Sequence, residues 1–177
     1  MRIVSGIHKG RRINAPRNLP VRPTTDFAKE ALFNILNNNY HFSNLEVLDL
    51  FSGTGNIAFE FASRGAENII AVDAHANCVK FINKVVKDLE MPVSAVKSDV
   101  FKYLSSTSRA SDIIFADPPY DFEAESLQQL VKIVFERELL KPDGNLIIEH
   151  SKKIDLSSSA HFSVFRKYGN SVFSFFS

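Results

Sequence analysis

From Glu46 onward, short apolar runs alternate with longer stretches of helical period, and few folds tolerate that pattern. Runs at 46–50, 68–72, 93–97, 111–116 and 145–149 are short and predominantly apolar, as suits strands buried on both faces. Between them, 56–64, 75–90 and 123–138 have the spacing of amphipathic helices. In the second of these, Val79, Ile82, Val86 and Leu89 form a seam, with Lys80, Lys84 and Lys87 facing away. Strand and helix in alternation predict an α/β chain with a mostly parallel sheet between helical layers. The tail breaks the alternation. Residues 162–166 and 172–176 flank Tyr168-Gly169-Asn170 and predict an antiparallel hairpin at the end of the sheet.

The segment before Glu46 is different. Residues 2–14 are punctuated by Gly6 and Gly10 and read as a short hairpin; Pro16, Pro20 and Pro23 then make an extended linker. A helix is predicted after Thr24-Thr25-Asp26, with Thr25 as cap, Asp26 favourable to the dipole and the Asn37-Asn38-Asn39 run as its end. Residues 1–22 hold six of the 21 Lys/Arg and no acid, leaving 15 basic against 20 acidic groups in the remainder. The expected division is a basic arm over 1–24 and a catalytic body over 25–177. The split suits an arm that binds a polyanion, although a merely solvated basic terminus would look the same. With 177 residues and 45% hydrophobic content, one core is expected. A lone Cys78 excludes an internal disulfide, the Cys and His residues lack zinc spacing, and no apolar run approaches a membrane span. A cytoplasmic protein without metal or membrane is expected.

The first predicted strand runs Glu46-Val47-Leu48-Asp49-Leu50 into Phe51-Ser52-Gly53-Thr54-Gly55 and a helix that starts near Asn56. Glycines let a ligand approach the main chain, and the helix start offers unpaired N–H groups. Gly53 to Ala58 also satisfies the dinucleotide pattern, and Asp73 follows about 20 residues after the first glycine. A nicotinamide or flavin enzyme is therefore a serious rival. Asp49 argues against it, because a carboxylate facing the glycine turn opposes a pyrophosphate but supports the ammonium of a methionine moiety. Asp99, after the third strand, adds an acceptor that could bind an adenine amino group. Taken alone it is better explained as a helix cap or turn former, but with Asp49 and Asp73 on successive strand ends the ligand reading is the better one.

Ile113 to Ala116 ends in Asp117-Pro118-Pro119-Tyr120. Two prolines stiffen the chain there, so the Asp117 carboxylate and the Pro118 carbonyl can both accept hydrogen bonds. An exocyclic amino group has two hydrogens to give. Accepting both holds its nitrogen toward an electrophile and stabilises the positive charge that develops there. Tyr120 offers a plane for a base taken out of its stack. An ordinary strand-ending turn is the plainer alternative.

These residues resemble the bacterial RsmD family of 16S ribosomal RNA guanine-N2 methyltransferases. The likeness rests on Met1 to Gly6 with Lys9-Gly10-Arg11, Arg22-Pro23-Thr24-Thr25-Asp26, Ala31 to Leu36, Asp49 to Gly55, Ser63 to Ala66 and Asp117 to Tyr120. The resemblance implies a Rossmann-like class I S-adenosylmethionine-dependent methyltransferase fold, with a seven-stranded sheet. It implies S-adenosylmethionine held by Asp49, Phe51, Gly53 and Gly55 at the methionine end, Asp73 and Ala74 at the ribose, and Asp99 and Val100 at the adenine. The target guanine would meet Asp117, Pro118, Pro119 and Tyr120. Arg2, Lys9, Arg11, Arg12, Arg22 and Thr24 are the candidate RNA contacts. Ribosomal RNA or the assembling small subunit is the implied partner, and a monomer is expected. Ser52, Thr54 and Asn56 depart from the family string, which leaves the contacts of Asn56 open.

Overall fold

The computed structural model describes residues 1–16, 19, 25–119 and 121–177. Its elements in chain order are α1 (Asp26–Asn39), β1 (Glu46–Leu50), α2 (Asn56–Ser63), β2 (Asn68–Asp73), α3 (Ala76–Leu89), β3 (Val93–Lys97), α4 (Val100–Ser106), β4 (Ser111–Ala116), α5 (Ala124–Glu136), β5 (Leu140–Ser151), β6 (Phe162–Tyr168) and β7 (Ser171–Phe176). They build one seven-stranded sheet in the order β3-β2-β1-β4-β5-β7-β6. β1 lies between β2 and β4, β1 to β5 are mutually parallel, and β7 runs antiparallel to both β5 and β6. This is the mostly parallel sheet with an antiparallel end that the alternation predicts.

Successive strand residues bury on opposite faces, so the sheet separates two apolar layers. On one face Val47, Ile69, Ile113 and Phe115 pack with Leu32 and Phe33 of α1, Ile57 and Phe61 of α2, and Ile82 of α3. On the other, Leu48, Leu50, Ile114 and Ile148 pack with Leu104 of α4 and Leu127, Leu130 and Val134 of α5. α1 starts where expected: the Thr25 hydroxyl accepts from Ala28 N–H at 3.2 Å, satisfying one of the donors left over at a helix start. The α3 seam is rotated slightly from the expected one, with Cys78, Ile82 and Val85 fully buried and Val79, Val86 and Leu89 at its margin. Two elements differ from expectation. α4 is an additional helix of seven residues, too short to show a period. β5 extends back to Leu140 through Pro142, Asp143 and Gly144, carried by a register shift against β4 and a positive φ of 62° at Asp143.

The arm folds back on the body. Arg2 and Arg12 form a β-bridge, and Ile3 N–H donates to Arg11 O at 3.0 Å while Gly10 N–H donates to Ile3 O at 2.8 Å. Ile3 and Ile13 join the core layer beside α1 and α2. Beneath the arm lies a fully buried ion pair, Lys29 of α1 with Glu60 of α2, at 3.6 Å. Two charges out of water are costly unless every lone pair and proton is used. Here they are: Lys29 Nζ donates to Arg2 O at 2.6 Å and to Asn56 Oδ1 at 2.8 Å, while Glu60 accepts from the backbone N–H of Val4 and Ser5 and from Arg64 Nε. Burial pushes the Lys29 ammonium below its ordinary range, and Glu60 opposes that shift. Gly6 packs directly on the carbonyl of Ser63, where a Cβ would lie 1.7 Å from that oxygen.

Candidate active site

The carboxyl ends of β1, β2 and β4 and the loops after them surround a cavity of about 460 Å³, within the range usual for small-molecule sites. Its floor is the turn after β1. Phe51 and Gly53 take left-handed backbone, φ 55° and 52°, and Ser52 N–H is held by Val72 O at 3.0 Å. The turn is tied to β2 a second time, since Gly53 N–H donates to Asp73 Oδ2 at 2.8 Å. The other Asp73 oxygen accepts from His75 N–H, also at 2.8 Å.

Asp49 is buried in the floor and accepts from Ala58 N–H of α2 at 3.2 Å. Burial, with the Asp73 charge adding to it, pushes its carboxyl up to about 8, only partly offset by that hydrogen bond. A carboxylate so placed gains most from a cation brought in through the cavity. At the far end Asp99 lines the cavity while capping α4, accepting from Lys102 N–H at 2.9 Å, so cap and lining residue are one. Ala74 and Val100 complete this wall. Opposite stand Asp117, Pro118 and Pro119. Of the expected cofactor contacts, Gly55 alone does not line the cavity. At its φ of 77° an added Cβ would come within 2.8 Å of Phe59 and 3.0 Å of Ile82, so this glycine serves the packing of α2 on α3.

Other residues enter that the sequence did not single out. Phe122 meets the already expected Phe51 edge to face, centroids 5.3 Å apart, and the two form an apolar part of the cavity wall. Phe27, 66% exposed, stands at the mouth with its ring against Tyr168. Glu149, at the end of β5, lines the same wall as Asp117. Phe122 has no spacing rule to betray it, but the rule that ligands sit at the carboxyl ends of parallel strands points to Glu149. In the arm, Lys9, Arg11 and Arg12 are exposed and, among the described residues, in no ion pair, whereas Arg2 pairs with Asp26 and Glu30 at 3.4 and 3.6 Å. Tyr120, Arg22 and Thr24 lie outside the described residues. Among the described residues no cluster of His, Cys, Asp and Glu could hold a metal ion, and no helix is long and apolar enough to cross a membrane.

The residues present fit S-adenosylmethionine: a buried acid for an ammonium, the Asp73 carboxylate for hydroxyls, and the apolar wall of Phe51, Val100 and Phe122 for a purine. Strand order, the antiparallel β7 and the glycine turn below this cavity define a class I, Rossmann-like S-adenosylmethionine-dependent methyltransferase. The chain belongs to the family described as conserved hypothetical protein 95, whose model matches residues 1–177. It is 33% identical over 161 residues to YlbH of Bacillus subtilis, named as a candidate rRNA methyltransferase, covering 88% of this chain and 85% of YlbH. It is 26% identical to ribosomal RNA small subunit methyltransferase D of Haemophilus influenzae, covering 99% of this chain and 91% of that protein. The solved structure of YhhF from Escherichia coli, a candidate methyltransferase, superposes with a TM-score of 0.87 at 22% identity over 99% of this chain and 96% of that one.

Proposed function

We propose that this enzyme methylates the exocyclic N2 amino group of a guanine in 16S, small-subunit ribosomal RNA. The observation that carries the reading is the shared cavity: Asp117, Pro118 and Pro119 line the same space as Asp49, Asp73 and Asp99. S-adenosylmethionine, when bound, supplies a methyl group on a positively charged sulfur and so needs no metal or covalent enzyme nucleophile. The chain's own task is then positional. Asp49 holds the ammonium, Asp73 the ribose, and Asp99 with Val100 the adenine. Asp117 and the Pro118 carbonyl accept the two amino hydrogens of the target, turn its lone pair toward the methyl group and offset the positive charge that grows on nitrogen. Tyr120 stacks on the base. The exposed cations Lys9, Arg11 and Arg12 hold the phosphate backbone, which positions RNA without reading its sequence. The name of the H. influenzae relative supports ribosomal RNA as the substrate.

The test is transfer of labelled methyl to small ribosomal subunits from a strain lacking the gene, followed by digestion to nucleosides. Label is expected on N2-methylguanosine. Asp117→Ala should lower kcat by at least about 100-fold, as expected when an interaction that strengthens in the transition state is removed, with cofactor affinity nearly unchanged. Label on a ribose oxygen or ring carbon, or full activity in Asp117→Ala, would refute the proposal.

A further inference from the structure

One buried acid at the cavity has no part in the chemistry above. Glu149 is only 6% exposed and lies on the acceptor side, away from Asp49, Asp73 and Asp99. The parallel register pairs Ala116 of β4 with Ile148 of β5. Continued by one residue, it sets Asp117 beside Glu149, on the same side of the sheet. Both line the main cavity and, with Pro118 and Pro119, the small hollow next to it. The Glu149 carboxylate is oriented by Ser171 of β7, whose hydroxyl donates to Oε1 at 2.6 Å.

Resting on the proposed base methylation, we infer that Glu149 is the specificity residue that selects guanine, by accepting the ring N1–H next to the reacting amino group. An ionised carboxylate can only accept hydrogen bonds. Guanine is the base whose exocyclic amine adjoins a ring N–H. In adenine and cytosine the amine adjoins a bare ring nitrogen, whose lone pair would face the carboxylate. Two neighbouring carboxylates also repel each other, and three N–H donors along one edge of guanine answer both at once. Asp117 takes the amine, Glu149 takes N1–H, and a turn that otherwise recognises only an amino group becomes a guanine site.

The test uses RNA spanning the methylated position, assembled into small subunits if bare RNA is not methylated, with guanine or 2-aminopurine at that position. 2-Aminopurine keeps the 2-amino group and lacks N1–H. The wild-type enzyme should prefer guanine by at least about 100-fold in kcat/KM, the scale on which sites built around a hydrogen bond reject analogues that lack it. Glu149→Gln keeps an oxygen for Ser171 and turns an N–H2 donor toward the base. It should slow guanine methylation and bring the two substrates within about tenfold of each other, the difference left by one weak interaction. Ser171→Ala, which lets the carboxylate swing, should narrow the ratio in part. Calorimetric titration with S-adenosylhomocysteine should give wild-type affinity in both variants, which separates specificity from loss of fold. Label on wild-type guanine with a ratio unchanged by Glu149→Gln overturns this inference alone. Wild-type label on adenine or cytosine overturns it together with the reading on which it rests.

Discussion

Replacing Asp49 with asparagine should stabilise the protein and cripple it at once. Burial raises the Asp49 carboxyl from 3.8 to about 8. In the unfolded chain it is ionised at neutral pH, while in the folded chain it is mostly protonated. The raised value means that the folded state binds the extra proton, so stability falls as pH rises from about 4 to about 8 and is level beyond. At pH 7 some three units separate the pH from the unfolded value, which at 1.36 kcal/mol each is about 4 kcal/mol. Asparagine copies the neutral acid in shape and keeps an oxygen for Ala58 N–H, but its amide hydrogens need partners. A net gain of about 2 to 4 kcal/mol at pH 7 follows, or very roughly 5 to 15 °C in Tm for a chain of this length. Urea melts at pH 5, 6, 7 and 8 measure it: the wild type should lose stability across the series and Asp49→Asn should not. Calorimetry at neutral pH should show affinity for S-adenosylmethionine reduced about 10- to 150-fold, the worth of a hydrogen bond to a charged group. Wild-type affinity should instead improve with pH up to about 8, because an ammonium needs the ionised acid and binding releases its proton. An unchanged stability slope in Asp49→Asn would refute the raised Asp49 carboxyl, and undiminished cofactor affinity would refute its assignment as the ammonium partner.

The arm and its anchor can be probed separately. Arg11→Ala with Arg12→Ala should flatten the salt dependence of RNA binding by about one unit of log-log slope for each phosphate no longer neutralised, without changing cofactor affinity; an unchanged slope would make the arm a solvated terminus. Lys29→Met takes from buried Glu60 one of its two cations, leaving Arg64, and should cost about 3 kcal/mol in denaturant melts, the low end of the range for breaking a buried pair. In that variant the Val4 and Ser5 amides, held by Glu60, should exchange with solvent ahead of the sheet amides; co-exchange with the sheet would show that the pair does not anchor the arm.

Particular residues show what could be read in the sequence. The β1 and β3 bounds and the cap at Thr25 follow from local chemistry, a short run rich in apolar residues or a hydroxyl before a helical period, and local signals survive folding. α4 was invisible because seven residues make barely two turns. The backward extension of β5 was hidden behind Pro142 and Gly144, which signal a loop wherever a neighbouring strand does not supply a partner. The Lys29–Glu60 pair could not be read at all: the residues lie on different helices, and each looks like an ordinary surface charge until the arm covers both. In the site, the acids that follow strands were legible from their position. The Phe51–Phe122 contact joins residues of separate loops and depends on how these fold together.

The place of β7 bears on how the chain is made. β7 is later in sequence than β6 yet lies between β6 and β5, paired with both. During synthesis β6 therefore leaves the ribosome with no neighbour to pair with, and the outer edge of β5 stays open until Ser171–Phe176 arrives and is threaded between them. β7 also closes both layers, since Phe173 belongs to the core on one face and Phe176 to the core on the other. The nascent protein can thus form the β3-to-β5 part of its sheet early while holding two unpaired edges, the kind of surface on which chaperones act and chains aggregate. A product truncated just before Ser171 is left with those edges and two incomplete cores, and is expected to be a target for proteolysis rather than a weakened enzyme.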